Sequence, residues 1–191
     1  PVLFGWPLIL FPLHLVLMEL IIDPACSVAF EMEPEEEGLM RRRPRARDAR
    51  MFDRHLIVRS LLQGTGVLGV ALTVFGVALG GGLHEAHVRL LTFTTMVLGN
   101  LTLIFTNRST ALTVNHRPRS SNPALLLLAG GAVGVLALIV YSPVLRDVFR
   151  VTKPTGLDIV ACFAAGIAAF IVVEVIKWLD LVASRRVAVN G

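Results

Sequence analysis

Glu19-Leu-Ile-Ile-Asp23-Pro24, inside an apolar run from Val2 to Phe30, is the stretch that decides how this chain is read. Glu19 and Asp23 are four residues apart, so on a helix they stand one turn above each other on the same face. Pro24 follows at once, removes a backbone amide, and predicts that the helix loosens there. An acid at the centre of a bilayer costs about 2.5–3.5 kcal/mol on insertion scales, so residues of this kind usually serve ions, protons or substrates. Two roles fit the pair: ligands of a cation, or structural partners of basic or amide groups on other elements.

The surrounding composition is that of a membrane protein. Of the 191 residues 54% are hydrophobic and only 17% are charged, and the mean hydropathy is +0.71. The charge is gathered into a few segments between long uncharged runs, which describes a polytopic helix bundle. The isoelectric point near 9.8 does not indicate nucleic acid, because the basic residues flank apolar runs and no aromatic-basic stretch occurs; they are topology signals. Cys26 and Cys162 form no zinc or C-x-x-C spacing. The sequence starts at Pro1 with no basic segment ahead of the apolar run, and so shows no cleavable signal and looks like the tail of something longer.

Five runs are long enough to cross a bilayer, which needs about 20 residues each: 7–29, 61–83, 88–106, 124–142 and 157–179. The expected fold is therefore all-α, with five transmembrane helices. The first connection, 30–59, is acidic at Glu31, Glu33 and Glu35–Glu37 and then carries eight arginines. Within it, residues 51–62 suit a short interfacial helix. Placing that connection in the cytoplasm puts fourteen of the 18 Lys and Arg inside. Only Arg89, Arg146, Arg150 and Lys153 then lie outside, in agreement with the positive-inside rule. The chain starts outside and ends in the cytoplasm. Four-residue spacings of small residues (Gly69 and Thr73, Gly76 and Gly80, Gly130 and Gly134, Ala161, Ala165 and Ala169) predict close helix approaches. The stretch from Pro143 to Val151 suits a short segment along the outer surface.

Outside the acidic pair, few residues suggest chemistry. His84 and His87 share a short outer loop and are expected to be solvated rather than metal-bound. His14 lies about 140° around the helix from Glu19 and so faces elsewhere. Glu174 and Lys177, three apart, are expected to pair, with Lys177 extending to the surface. Trp6 and Trp178 fit interfacial anchors.

Several of these motifs together resemble one family. Pro12-Leu-His14, Glu19-Leu-Ile-Ile-Asp23-Pro24, Phe30-Glu31, Glu33-Pro34 and Met40-Arg-Arg-Arg-Pro44-Arg are similar to the sixth span and following loop of cation-pumping P-type ATPases of the calcium-pump-like branch. Asn107-Arg-Ser109 resembles the end of the family's eighth span, and Pro143 through Phe149 with Glu174-Val-Ile-Lys177 its last outer loop and tenth span. The resemblance covers nearly the whole chain, as spans six to ten. It implies a pump in which a phosphorylated aspartate of a cytosolic domain drives ion sites between inward- and outward-facing states. Glu19 and Asp23 then fall where the sixth span supplies ligands, and Pro24 where that span unwinds. Calcium is the expected ion, with magnesium, manganese or another cation as alternatives, since hard cations take several oxygen ligands.

Three departures bear on the site. The calcium pumps typically carry Asn where Glu19 stands, Thr near Ile22 and Gly where Pro24 stands. The stretch equivalent to the eighth span has no carboxylate near residues 96–106, which leaves Asn100 and Thr102 as its polar groups, available for ion contact or for helix–helix hydrogen bonds. One ion, or proton counter-transport, stays open. No Asp-Lys-Thr-Gly phosphorylation motif and no Thr-Gly-Glu loop occur in the sequence. No catalytic residue is expected, and ATP with its magnesium would act only through a missing amino-terminal half carrying spans one to five and the cytosolic domains. The expected partners are that half and the lipid bilayer of a bacterial plasma membrane, with no nucleic acid. A stand-alone carrier or channel using the pair as a proton relay, and an accessory membrane subunit, are the alternative functions.

Overall fold

The structure, a computed structural model, describes residues 8, 10–32, 54–107 and 123–190, without the side chains of 24–26, 28–30, 55 and 183–190. Six helices occur among them: α1 (Pro12–Glu31), α2 (Arg54–Gly80), α3 (Glu85–Asn107), α4 (Pro123–Tyr141), α5 (Pro143–Phe149) and α6 (Gly156–Asn190). The all-α expectation holds, and the expectation of five transmembrane helices does not. Among the described residues, four helices are long and apolar enough to cross a membrane: Leu56–Gly80, Glu85–Asn107, Pro123–Tyr141 and Gly156–Val182. The fifth candidate run, 7–29, instead gives α1, whose twenty residues hold Glu19 and Asp23 and close on Glu31. α1 is not among the four, its side chains being described without a break only over 12–23, short of the length a crossing needs.

Other boundaries move for local reasons. Residues 54–62 are the first turns of α2, not a separate interfacial helix, because no Gly or Pro interrupts the chain between Arg54 and Leu62. The predicted short segment after the fourth run is α5, started by Pro143, whose fixed φ suits a first helical position. It ends at Arg150, in the left-handed conformation (φ 49°). The α2–α3 connection turns at Gly82, whose φ of 72° an L side chain would resist. Thr155 caps α6: its Oγ1 accepts from the Asp158 amide at 3.3 Å. Asp158 Oδ2 in turn accepts from the Thr155 amide at 2.7 Å and hydroxyl at 2.9 Å. This reciprocal arrangement is a capping box.

α3 occupies the centre. It packs against α2 and α6, which also pack on each other, and on its other side against α1 and α4. The largest apolar cluster joins Leu90, Phe93, Val97 and Leu101 of α3 to Ala132, Leu136, Ile139 and Val140 of α4 and Phe149 of α5, with Leu17, Met18 and Ile21 of α1 laid against it. Close approaches depend on glycines other than those the spacing singled out. Gly69, Gly76, Gly80, Gly130 and Gly134 have open space where a side chain would go. The glycines in contact are Gly66, facing Val172 and Ile176, Gly99, facing Val67, and Gly166, facing Leu98. Ala165 and Ala169 are buried, as their spacing predicts. Large apolar side chains are exposed along α2, α4 and α6, including Leu68, Leu127 and Phe163. This outward apolar surface belongs to an integral membrane bundle.

Both ends of the bundle are tied by polar contacts. Below the "upper" end (where α1 begins) are the starts of α3 and α6 and the whole of α5. At the lower end Lys177 is fully buried, and its Nζ donates to the Thr106 carbonyl at 2.7 Å. Lys177 therefore does not extend to the surface as its position near a helix end suggests; it caps the final turn of α3, where carbonyls lack amide partners. Arg59 of α2 and Asp180 of α6 pair at 3.8 Å on the same level.

Candidate functional site

α1 presents two distinct faces. Leu10, His14, Leu17, Met18 and Ile21 turn toward the bundle. Leu15, Val16, Glu19, Leu20 and Asp23 are exposed on the other side. Helical spacing explains the division, since His14 and Asp23 are nine residues apart and thus about 180° from one another around the axis. The carboxylates share one face, one turn apart, on a surface that is otherwise leucine and valine. Both are exposed.

α1 continues as helix through Pro24 to Glu31, so the expected break at Pro24 is not seen as an interruption of the helix. Proline still has no amide to give, and the carbonyl four residues back, that of Leu20, loses its usual partner. Leu20 adjoins Glu19 on the exposed face. Two carboxylates, one freed carbonyl and the hydroxyl of exposed Ser27, one turn beyond Asp23, are oxygen donors on this side of α1.

The two other polar candidates are not brought to the carboxylates. Asn100 faces α1 at a cavity of about 10 Å³, lined by Met18, Ile21, Ile22, Val97, Leu101 and Ile104. That space is room for about one water at most, and it lies on the bundle side of α1. Thr102 donates its hydroxyl to the Leu98 carbonyl at 2.9 Å and lines an apolar groove of about 390 Å³ between α3 and α6. It is a helix-satisfied hydroxyl on the far side of α3 from α1.

The two loop histidines have separate structural partners. His84 Nδ1 accepts from the Ala86 amide at 3.4 Å at the start of α3, and His87 lies 3.8 Å from Asp158. No group of three or more potential metal ligands assembles among the described residues. The acidic-to-basic loop that followed the pair in the sequence, Trp6 and the Cys26 side chain lie outside the described residues.

Sequence reasoning missed a cluster at the upper end. His14 is fully buried, with the Phe93 and Phe149 rings perpendicular to it at 4.9 and 5.3 Å. The Phe11 ring carries the guanidiniums of Arg89 and Arg150, 4.7 and 5.1 Å from its centroid. Arg89 Nη1 also donates to the Arg150 carbonyl. The available sequence signal was weak: aromatic residues in three separated segments, with no periodicity linking them.

Comparison with known proteins agrees with this architecture. Residues 7–179 match the family described as cation transporting ATPase, C-terminus. The chain is 26% identical to calcium-transporting ATPase 1 of Schizosaccharomyces pombe, over 92% of this chain and 20% of that protein. It is 25% identical to calcium-transporting ATPase type 2C member 2 of Mus musculus, over 91% of this chain and 18% of that protein. A calcium-transporting ATPase of Bacillus subtilis is 25% identical over 82% of this chain and 18% of its own length. The chain thus spans about a fifth of the length of these relatives.

Proposed function

This chain belongs to the cation-transporting ATPase C-terminal family, and from that premise we propose that it is the membrane region of an ATP-driven pump for a divalent cation, with Glu19 and Asp23 among the ion ligands. The observation that carries the proposal is the placement of both carboxylates on the α1 face turned away from α3 and α4, on an otherwise apolar surface. Carboxylates held there need a covering element and a cation, and the relatives are roughly five times as long as this chain. The rest of such a pump would close over α1 and supply further oxygens. Calcium is the first candidate, because the relatives bear calcium-transporting names and because carboxylate and carbonyl oxygens suit a hard ion.

Of one ion per cycle or an ion exchanged for protons, this chain's own donors favour the single ion. After Glu85 at its start, α3 has no carboxylate through Asn107, and Asn100 is turned to the bundle side of α1. The lower end, where the Arg-rich connections belong, is assigned to the cytoplasm by the same Lys and Arg asymmetry. Phosphoryl chemistry is assigned to the remainder of the pump, since the 191 residues hold no Asp-Lys-Thr-Gly motif.

The test joins this chain to the catalytic part of its pump and measures calcium-stimulated ATP hydrolysis and uptake in vesicles. Glu19→Gln and Asp23→Asn are each expected to raise the half-saturating calcium concentration by roughly ten-fold or more, because affinity at such sites follows ligand charge. Unchanged calcium dependence in both variants would remove these residues from the ion path.

A further inference from the structure

We infer that His14 is a positioning residue for the carboxylate pair: its imidazole pins the upper end of α1 and thereby sets the rotation at which Glu19 and Asp23 are presented. This rests on the ion-ligand role proposed above.

The pin is built as a helix cap. Phe11 precedes the first helical residue, Pro12, and His14 stands three residues after Phe11. His14 Nδ1 accepts from the Phe11 amide at 3.2 Å, while the His14 amide donates to the Phe11 carbonyl at 2.9 Å. In a capping box the residue at this place is usually Glu or Gln, reaching back to the same amide. Accepting at Nδ1 requires the neutral ring, protonated at Nε2. Nε2 is buried, and the Phe149 backbone lies beside the ring.

The cap is then fixed to its neighbours. Phe93 of α3 and Phe149 of α5 enclose the imidazole, and Arg89 and Arg150 close over Phe11. Arg89, buried like His14, reaches from α3 to the Arg150 carbonyl in the turn after α5. One side chain on α1 is therefore held by two other elements while it caps its own helix.

The lever is geometric. Glu19 and Asp23 lie about 7 and 13 Å further along the axis and about 140° and 180° around it from His14. Their oxygens are roughly 6 Å from the axis, so a 10° turn of α1 moves them by about 1 Å. Metal–ligand distances are specified to about 0.2 Å. A pin on the opposite face therefore reaches the ion site without contact with it.

Two substitutions separate this role from simple packing, both in the complete pump in membranes. His14→Phe keeps an aromatic ring beside Phe93 and Phe149 but removes the acceptor for the Phe11 amide. His14→Gln restores an acceptor of the kind capping boxes use. The Phe variant is expected to raise the half-saturating calcium concentration about five-fold with maximal turnover unchanged, and the Gln variant to return it to within about two-fold of the parent. Hydrogen exchange at the Phe11 amide should be fast in the Phe variant and slow in the parent and the Gln variant. Protection lost without a change in calcium dependence would overturn the inference, as would protection that survives in the Phe variant. A Phe variant that fails to assemble leaves the decision to the Gln variant, for which parental protection with a shifted calcium dependence also counts against the pin. If Glu19→Gln and Asp23→Asn are themselves without effect, the ion-ligand role fails first.

Discussion

Gly66→Ala tests how the bundle is held together, and the structure sets the size of its effect. A methyl group at this position would lie 2.7 Å from Val172 Cγ1 and 3.1 Å from Ile176 Cδ1. The isoleucine methyl ends a flexible side chain and can swing aside. Val172 is β-branched on a helix and has essentially one available rotamer, so α2 and α6 must separate instead. Overpacking of this kind costs about 1–3 kcal/mol. Against it stands the intrinsic preference of a helix for Ala over Gly, about 1 kcal/mol. The net expectation is a loss of about 1 kcal/mol, or roughly 2–4 °C in a chain of this size. Gly130→Ala is the control: it meets nothing within 4 Å, so only the favourable propensity term applies. Thermal unfolding of both variants in the same detergent, followed by loss of the monodisperse peak on size exclusion, gives the comparison. A Gly66→Ala protein as stable as the Gly130→Ala protein would refute the assignment of Gly66 to the α2–α6 contact.

Other outcomes follow from single contacts. Lys177→Met keeps most of the side-chain volume but strands the Thr106 carbonyl, and should cost about 1–3 kcal/mol in the same thermal assay; parental stability would mean that burying the ammonium costs as much as its bond returns. Thr155→Ala removes one half of the α6 capping box and should cost about 1 kcal/mol, while Thr155→Ser keeps it and should cost little. Thr102→Val should leave the calcium dependence of transport unchanged, because the hydroxyl is satisfied by the Leu98 carbonyl and faces the α3–α6 groove. A ten-fold shift in that variant would bring Thr102 into the ion path.

Periodicity and burial cost made much of this legible from the residues alone. Four of the apolar runs became the long apolar helices, with boundaries moved by a few residues, because water exclusion and helix length are one-dimensional constraints. The shared face of Glu19 and Asp23, and the separation of His14 from it, follow from the turn of a helix and appear as such in α1. What stayed hidden depends on which neighbour a face meets. Glycine spacing named Gly76 and Gly130, whereas contact falls on Gly66, Gly99 and Gly166, since spacing identifies a groove on one helix and not a partner across it. Lys177 gave the appearance of a snorkelling end residue; the carbonyl it caps is 71 positions away in the chain.

α3 separates the described helices into two leaves, α1 with α4 on one flank and α2 with α6 on the other, and both leaves bear on it. Like a book hung on its spine, such an assembly lets one cover swing without loosening the other. The carboxylates are on the α1 cover and the lysine clamp is on the opposite one. If Glu19 and Asp23 hold the ion as proposed, a working stroke at the pair is expected to leave the α2–α3–α6 triangle as the fixed mount against which α1 and α4 move.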